Sequence, residues 1–194
     1  MQSICYNNKR KEHIQNTLEV TNMSTRGNIA IALNSKDAKI IYNHHDSMYT
    51  RLGRMLKLYY NTTEKVEELI SLGDVSSVGK FIGEKHDFDN CPDDECNFYG
   101  RDRGEDNVEA WTGAIDHSWN GNDAEYDYLF FPVINVWFAR RSAILDDWHV
   151  LKDAECGITA EDYKRAEQEI AEHESKEEQR KDIDKMLDDF LAKF

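Results

Sequence analysis

The sequence predicts an α+β fold: an antiparallel sheet of about five or six strands with a helix pair on one face, plus a charged C-terminal helix. Three observations predict it. Short runs at 28–33, 38–43, 126–131 and 136–140 have the composition and alternation of strands, with turn residues inside each pair. Two runs between 46 and 72 place their apolar residues on one helical face. Thr159 with Asp162 resembles a capping box, and a charged helix runs on from there.

Asn28-Ile-Ala-Ile-Ala-Leu33 alternates large and small side chains, as a strand beside a covered face does. Asn34 to Asp37 supplies turn chemistry, and Ala38 to Asn43 returns as the second strand of a hairpin. Asp46 or Ser47 is placed to cap a helix with Met48, Leu52, Met55, Leu56 and Tyr59 inward, ending at Asn61. Thr62 and Thr63 begin a second helix with Val66, Leu69 and Ile70 inward, and Gly73 suits its left-handed cap. The stretch 74–97 reads as irregular. Asn97-Phe-Tyr99 and Val108 to Trp111 read as short strands, and Asp116 to Asp123 as a loop. Tyr126 to Phe131 and Val136 to Arg140 form a last hairpin around Pro132. This divides the chain into a loosely attached extension (1–22), an α+β core domain (23–142) and a C-terminal helical appendage (143–194).

The 194 residues carry 24 Lys and Arg against 38 Asp and Glu, a formal charge of −14. That balance argues against direct nucleic-acid binding and against anionic lipid, and it suits a partner with a basic surface. No run has the ~18 apolar residues of a membrane helix, and residues 1–22 hold no apolar core of a signal peptide. The four cysteines are too scattered for a disulfide framework, so a reduced cytoplasmic setting is expected.

Several constellations are candidates for chemistry. Cys91 and Cys96 with His86 lack a fourth zinc ligand, so no metal or other cofactor is expected. Ser24 serves as an N-terminal nucleophile only if everything through Met23 is removed. His44, His45 and Asp46 lie where a strand meets a helix, a common place for acid–base or binding groups. Neighbouring strand residues point to opposite faces, so the two histidines are not expected to share one pocket. Alternatively Asp46 only caps the helix. Arg101 and Arg103 share one face if their strand continues, and together they can clamp a carboxylate or phosphate. Alternatively they pair internally with Asp102, Glu105 or the loop from His86 to Glu95.

Four stretches together resemble a small phage-encoded protein family: Met23-Ser-Thr-Arg-Gly-Asn-Ile-Ala-Ile, Ile41-Tyr-Asn-His-His-Asp46, Lys65 to Ser77, and Phe98-Tyr-Gly-Arg-Asp-Arg-Gly-Glu105. The family pattern begins Met-Ser-Thr-Arg and carries Tyr-x-His-x-Asp and Arg-Asp-Arg-Gly-Glu elements. The resemblance covers about residues 23–140. The chain departs from it at His45 and Ser47, where the pattern has Trp and Gly. The resemblance implies a phage origin and no particular reaction. With Tyr99, the matching positions His44, Asp46, Arg101, Asp102, Arg103 and Glu105 form the candidate binding site.

These readings lead to the expectation of a non-enzymatic phage accessory protein in the cytoplasm of an infected bacterium. It would bind and inhibit a host protein, for host takeover or against host defence, by laying an acidic surface in a basic groove. The alternative is a small enzyme or small-molecule binder with a pocket around His44, Asp46, Arg101 and Glu105. At the C-terminus Ile183, Met186, Leu187, Phe190, Leu191 and Phe194 recur on one helical face. That face is the expected interaction helix, open to self-association, to the chain's own body or to a foreign groove.

Overall fold

The computed structural model describes residues 24–117, 119, 123–144 and 146–192. The expected extension 1–22, Phe194 and the side chain of Phe190 lie outside the described residues. The chain builds a mixed sheet from β1 (Gly27–Ala32), β2 (Asp37–Asn43), β3 (Val75–Ser77), β4 (Asn97–Phe98), β5 (Trp111–Ala114), β6 (Tyr126–Phe131), β7 (Val136–Arg140) and β8 (His149–Val150). The order is β4-β3-β2-β1-β6-β7-β8, with β5 also pairing β2. Four helices complete it: α1 (Arg54–Tyr59), α2 (Thr63–Ser71), α3 (Asp153–Cys156) and α4 (Ala160–Leu191).

The α+β class and the C-terminal helix match the reading of the sequence, and the finer expectation is corrected in two ways. The described strands number eight, because β3 and β8 are only three and two residues long and show no alternation to read. The sheet is also not wholly antiparallel. β1 runs parallel to β6 and β2 parallel to β3, since a long connection, unlike a tight hairpin, leaves either direction open.

The alternation in β1 has a direct cause in packing. Ile29 and Ile31 face the helices, where Ile41, Tyr128, Phe130 and Trp137 meet Leu52, Leu56, Val66, Leu69 and Ile70. Ala30 and Ala32 face the other side, with Ala38, Ile40 and Leu129 packed around Trp119 and Trp148. Small residues on that face leave room for two indoles.

The helices differ from expectation in how they begin. Neither Asp46 nor Ser47 caps the first one. Asp46 turns the chain in the left-handed region at φ 57°. Ser47 is buried, accepting a 2.7 Å hydrogen bond from Asn43 on its hydroxyl and a 2.6 Å bond from Tyr128 on its carbonyl. A wide π-type turn, Tyr49–Gly53, then leads into α1 without a side-chain cap. α2 follows the sequence closely. The Thr62 hydroxyl accepts from the Lys65 N–H, and Gly73 at φ 81° ends it.

Residues 143–158, expected with the appendage, contribute β8 and the buried Leu151, Cys156 and Ile158 to the main core. α4 then opens on the expected capping box. Asp162 Oδ2 accepts from the Thr159 N–H at 2.9 Å, and Thr159 Oγ1 accepts from the Asp162 N–H at 3.3 Å. Asp162, Tyr163, Ala166, Glu169, Ile170 and His173 recur at helical spacing and face the body. No described helix is long and apolar enough to cross a membrane.

Candidate functional site

The Arg-Asp-Arg-Gly-Glu element does not continue a strand. After Phe98 the backbone closes a π-type turn, Tyr99–Arg103, which Gly104 ends in the left-handed region at φ 76°. The turn sends the two arginines to different places.

Arg101 points inward, and all five of its N–H groups are used. Nε donates to Asp102 Oδ1 at 2.7 Å. Nη1 donates to the carbonyls of Ile82 and Gly83 at 2.9 and 2.8 Å. Nη2 donates to the Cys96 carbonyl and to Asp102 Oδ2 at 2.7 and 2.9 Å. Its guanidinium also lies 4.9 Å from the centre of the Phe98 ring. The Asp102 carboxylate is fully buried and takes further bonds from the N–H groups of Phe98 and His86, at 2.8 and 3.2 Å. Burial alone raises a carboxyl pKa. Here the bonds from Arg101 and the two backbone groups outweigh it and hold Asp102 below its ordinary value.

Arg103 stays at the surface, 3.1 Å from Glu105 and 5.0 Å from the centre of the Phe88 ring. The expectation that Arg101 and Arg103 share a face and clamp one anion is therefore corrected. Arg101 has no N–H left to offer. The internal alternative holds: Arg101 and Asp102 tie the loop of residues 82–96 to the sheet.

That tie also employs His86, whose Nε2 lies 3.2 Å from the Cys96 carbonyl oxygen. Cys96 is buried beside Tyr60, its sulfur 3.1 Å from the phenol oxygen, while the Cys91 sulfur lies 3.5 Å from the Glu95 carbonyl. Among the described residues no group of three or more His, Cys, Asp and Glu is arranged to hold a metal ion.

His44 and His45 extend β2 past its end, their N–H groups bonding the carbonyls of Val75 and Ser76 at 3.0 Å each. The left-handed turn at Asp46 follows at once, and the histidine rings meet edge to face with centres 4.4 Å apart. The rings touch, but only His45 lines a cleft, so the two histidines do not share one pocket. His44 Nδ1 is 2.8 Å from the Tyr42 hydroxyl, and the Tyr99 ring lies edge-on at 6.5 Å. Partial burial, with His45 and Arg26 adding to it, pushes the His44 pKa below its usual value. The Ser24 hydroxyl bonds the His44 carbonyl.

The candidate residues thus fall into separate groups. His44 and Tyr99 meet in an aromatic cluster. Asp46 and His45 line a 280 Å³ cleft with Arg51, Arg54 and Met55. Arg101 and Glu105 border a different 250 Å³ cleft with Gly73 and Val108.

One polar group escaped the sequence reading. Asn28, Asp127 and Arg140 lie opposite one another on β1, β6 and β7. Asp127 is fully buried, accepting from Asn28 at 2.7 Å and from Arg140 at 2.8 Å. The Arg140 guanidinium lies 4.3 Å from the Trp148 ring centre and 5.3 Å from that of Trp119. The signal was present: a lone Asp inside the apolar run Tyr126 to Phe131, and an Arg in register with it across the hairpin.

The interaction helix is the most exposed of the expected sites. Ile183, Met186, Leu187 and Leu191 are 63%, 72%, 54% and 60% exposed. Comparison with protein families, with curated proteins and with solved structures found no match.

Proposed function

We propose that this protein is a non-enzymatic accessory protein of phage origin. It binds and inhibits a host protein by laying acidic surface into a basic groove, one that otherwise holds nucleic acid. The observation that carries this reading is the placement of acid. Residues 24–140 hold 12 basic and 20 acidic side chains, and 159–194 hold 7 and 12. On α4, Glu172, Glu174, Glu177, Glu178, Asp182, Asp184, Asp188 and Asp189 are all exposed. A net excess of acid over both body and helix produces a field that steers a basic partner and resists another acidic one. The phage origin rests on the resemblance of residues 23–140.

A pull-down from bacterial lysate at low and at half-molar salt tests the reading. The expected result is a stoichiometric nucleic-acid-binding protein that is released by salt and displaced by nucleic acid. A small molecule retained by the purified chain, with no salt-sensitive protein partner, would overturn it.

A further inference from the structure

Among the described residues, the 2.9 Å ion pair of Arg180 with Glu84 is the last salt bridge between α4 and the body. Beyond it, residues 181–189 are all exposed, and the helix runs on to Leu191. The described side chains of the apolar stripe, Ile183, Met186, Leu187 and Leu191, do not fold back onto the chain's own core. At 3.6 residues per turn, Ile183, Met186, Leu187 and Leu191 form one band, and the sequence places Phe190 in its middle.

The margins of that band are acidic on both sides. Asp182 and Asp189 follow one edge and Asp184 and Asp188 the other, while Lys185 falls on the far face. Lys181 shares the far face with Lys185, so along the edges Lys193 is the one base beside these four acids. Pairing two copies of this helix sets aspartates against aspartates along both edges of the seam, which disfavours self-association. The body of a second copy is no better, since residues 24–140 carry excess acid themselves.

From this charge pattern we infer that residues 182–191 are the chain's docking element for a foreign protein whose apolar helix or groove is edged by lysine or arginine. The inference rests on the proposed function and specifies it. The basic partner is gripped by the projecting helix, with the apolar band giving contact and the aspartate edges selecting charge.

The test uses the full chain and a short amphipathic helical peptide with leucines on one face and lysines along its edges. A leucine–glutamate peptide of the same pattern is the control. Light scattering first gives the mass of the chain alone. The expected results are a monomer, binding to the leucine–lysine peptide only, and about tenfold or more loss of affinity in Leu187→Asp. Ile183→Asp should behave alike, and both side chains are exposed enough for the fold to tolerate the change. A dimer that Leu187→Asp dissociates makes a second copy the occupant and overturns the inference. Lysine-peptide binding unchanged in Leu187→Asp places the contact on the acidic body. That outcome overturns the inference and leaves the proposed function standing. Equal binding of the two peptides removes charge selection and overturns it too, and no binding by either overturns the inference while the pull-down decides the proposed function.

Discussion

Arg101 and Arg103 are two positions apart in one short motif, yet the turn between them gives them opposite roles. Arg101 neutralises a fully buried carboxylate and closes the carbonyls of three loop residues. Removing it leaves Asp102 charged and uncompensated. Arg101→Ala should therefore lower stability by about 3–5 kcal/mol, read from urea denaturation. Arg103→Ala breaks only an exposed pair with Glu105 and should cost under about 1 kcal/mol. Equal losses from the two would contradict this division. The same logic applies to the row the sequence reading missed. Arg140→Ala strands Asp127 and should cost as much as Arg101→Ala, about 3–5 kcal/mol. Such roles depend on which way a side chain turns at one or two residues. The Arg-Asp-Arg-Gly-Glu pattern was legible, but the π-type turn that separates its arginines has no apolar period to betray it.

At the scale of elements, legibility followed the length of the pattern. The two hairpins, α2 with its Thr62 and Gly73 ends, and the Thr159–Asp162 start of α4 all carry local signals four or more residues long. β3 and β8 carry none, and their pairing depends on what the rest of the chain leaves open. The start of the first helix was misread because Asp46 and Ser47 have cap chemistry, while tertiary structure uses Asp46 for a left-handed turn and buries Ser47. Gly27 shows how tightly that corner is filled: a Cβ there would lie 2.7 Å from the Ser47 hydroxyl. α4 packs Tyr163, Ala166 and Ile170 on the main core and adds polar contacts to it. Asp162 bonds Arg54 at 2.6 Å, Glu169 accepts from Tyr59 at 2.5 Å and pairs with Lys80, and His173 stacks on Phe81. The bond from Arg54 holds the Asp162 carboxyl well below its usual range, and the Tyr59 bond lowers Glu169. A carboxylate with a lowered native pKa contributes stability above its unfolded value, near pH 4. That contribution is lost as pH falls through the native value. Hydrogen exchange of residues 160–173 should accordingly rise in acid before that of the sheet, and Arg54→Ala should flatten the dependence. Truncation after Arg180 should leave the melting temperature within about 2 °C, because none of residues 181–189 is buried. A larger fall would mean that the terminal helix supports the body.

Across the whole molecule, one buried ion pair, Arg140–Asp127, lies within the two-faced sheet and another, Arg101–Asp102, in the turn beside it, while the excess acid remains at the surface. The helix that carries the densest acid projects from the body, with its apolar band uncovered. The net charge was legible from composition alone. Which acids are available to a partner was not, because Asp102 and Asp127 count in the total and yet face inward. The field of the remaining acids reaches only about 8 Å at physiological salt, so contact with a basic partner should be sensitive to ionic strength. The most direct test is the affinity of the captured host partner for the full chain, measured between low and half-molar salt with nucleic acid as competitor. Affinity should fall by at least about tenfold over that range, and nucleic acid and the chain should exclude each other. An affinity unchanged by salt, or simultaneous binding of chain and nucleic acid, would contradict the proposed function.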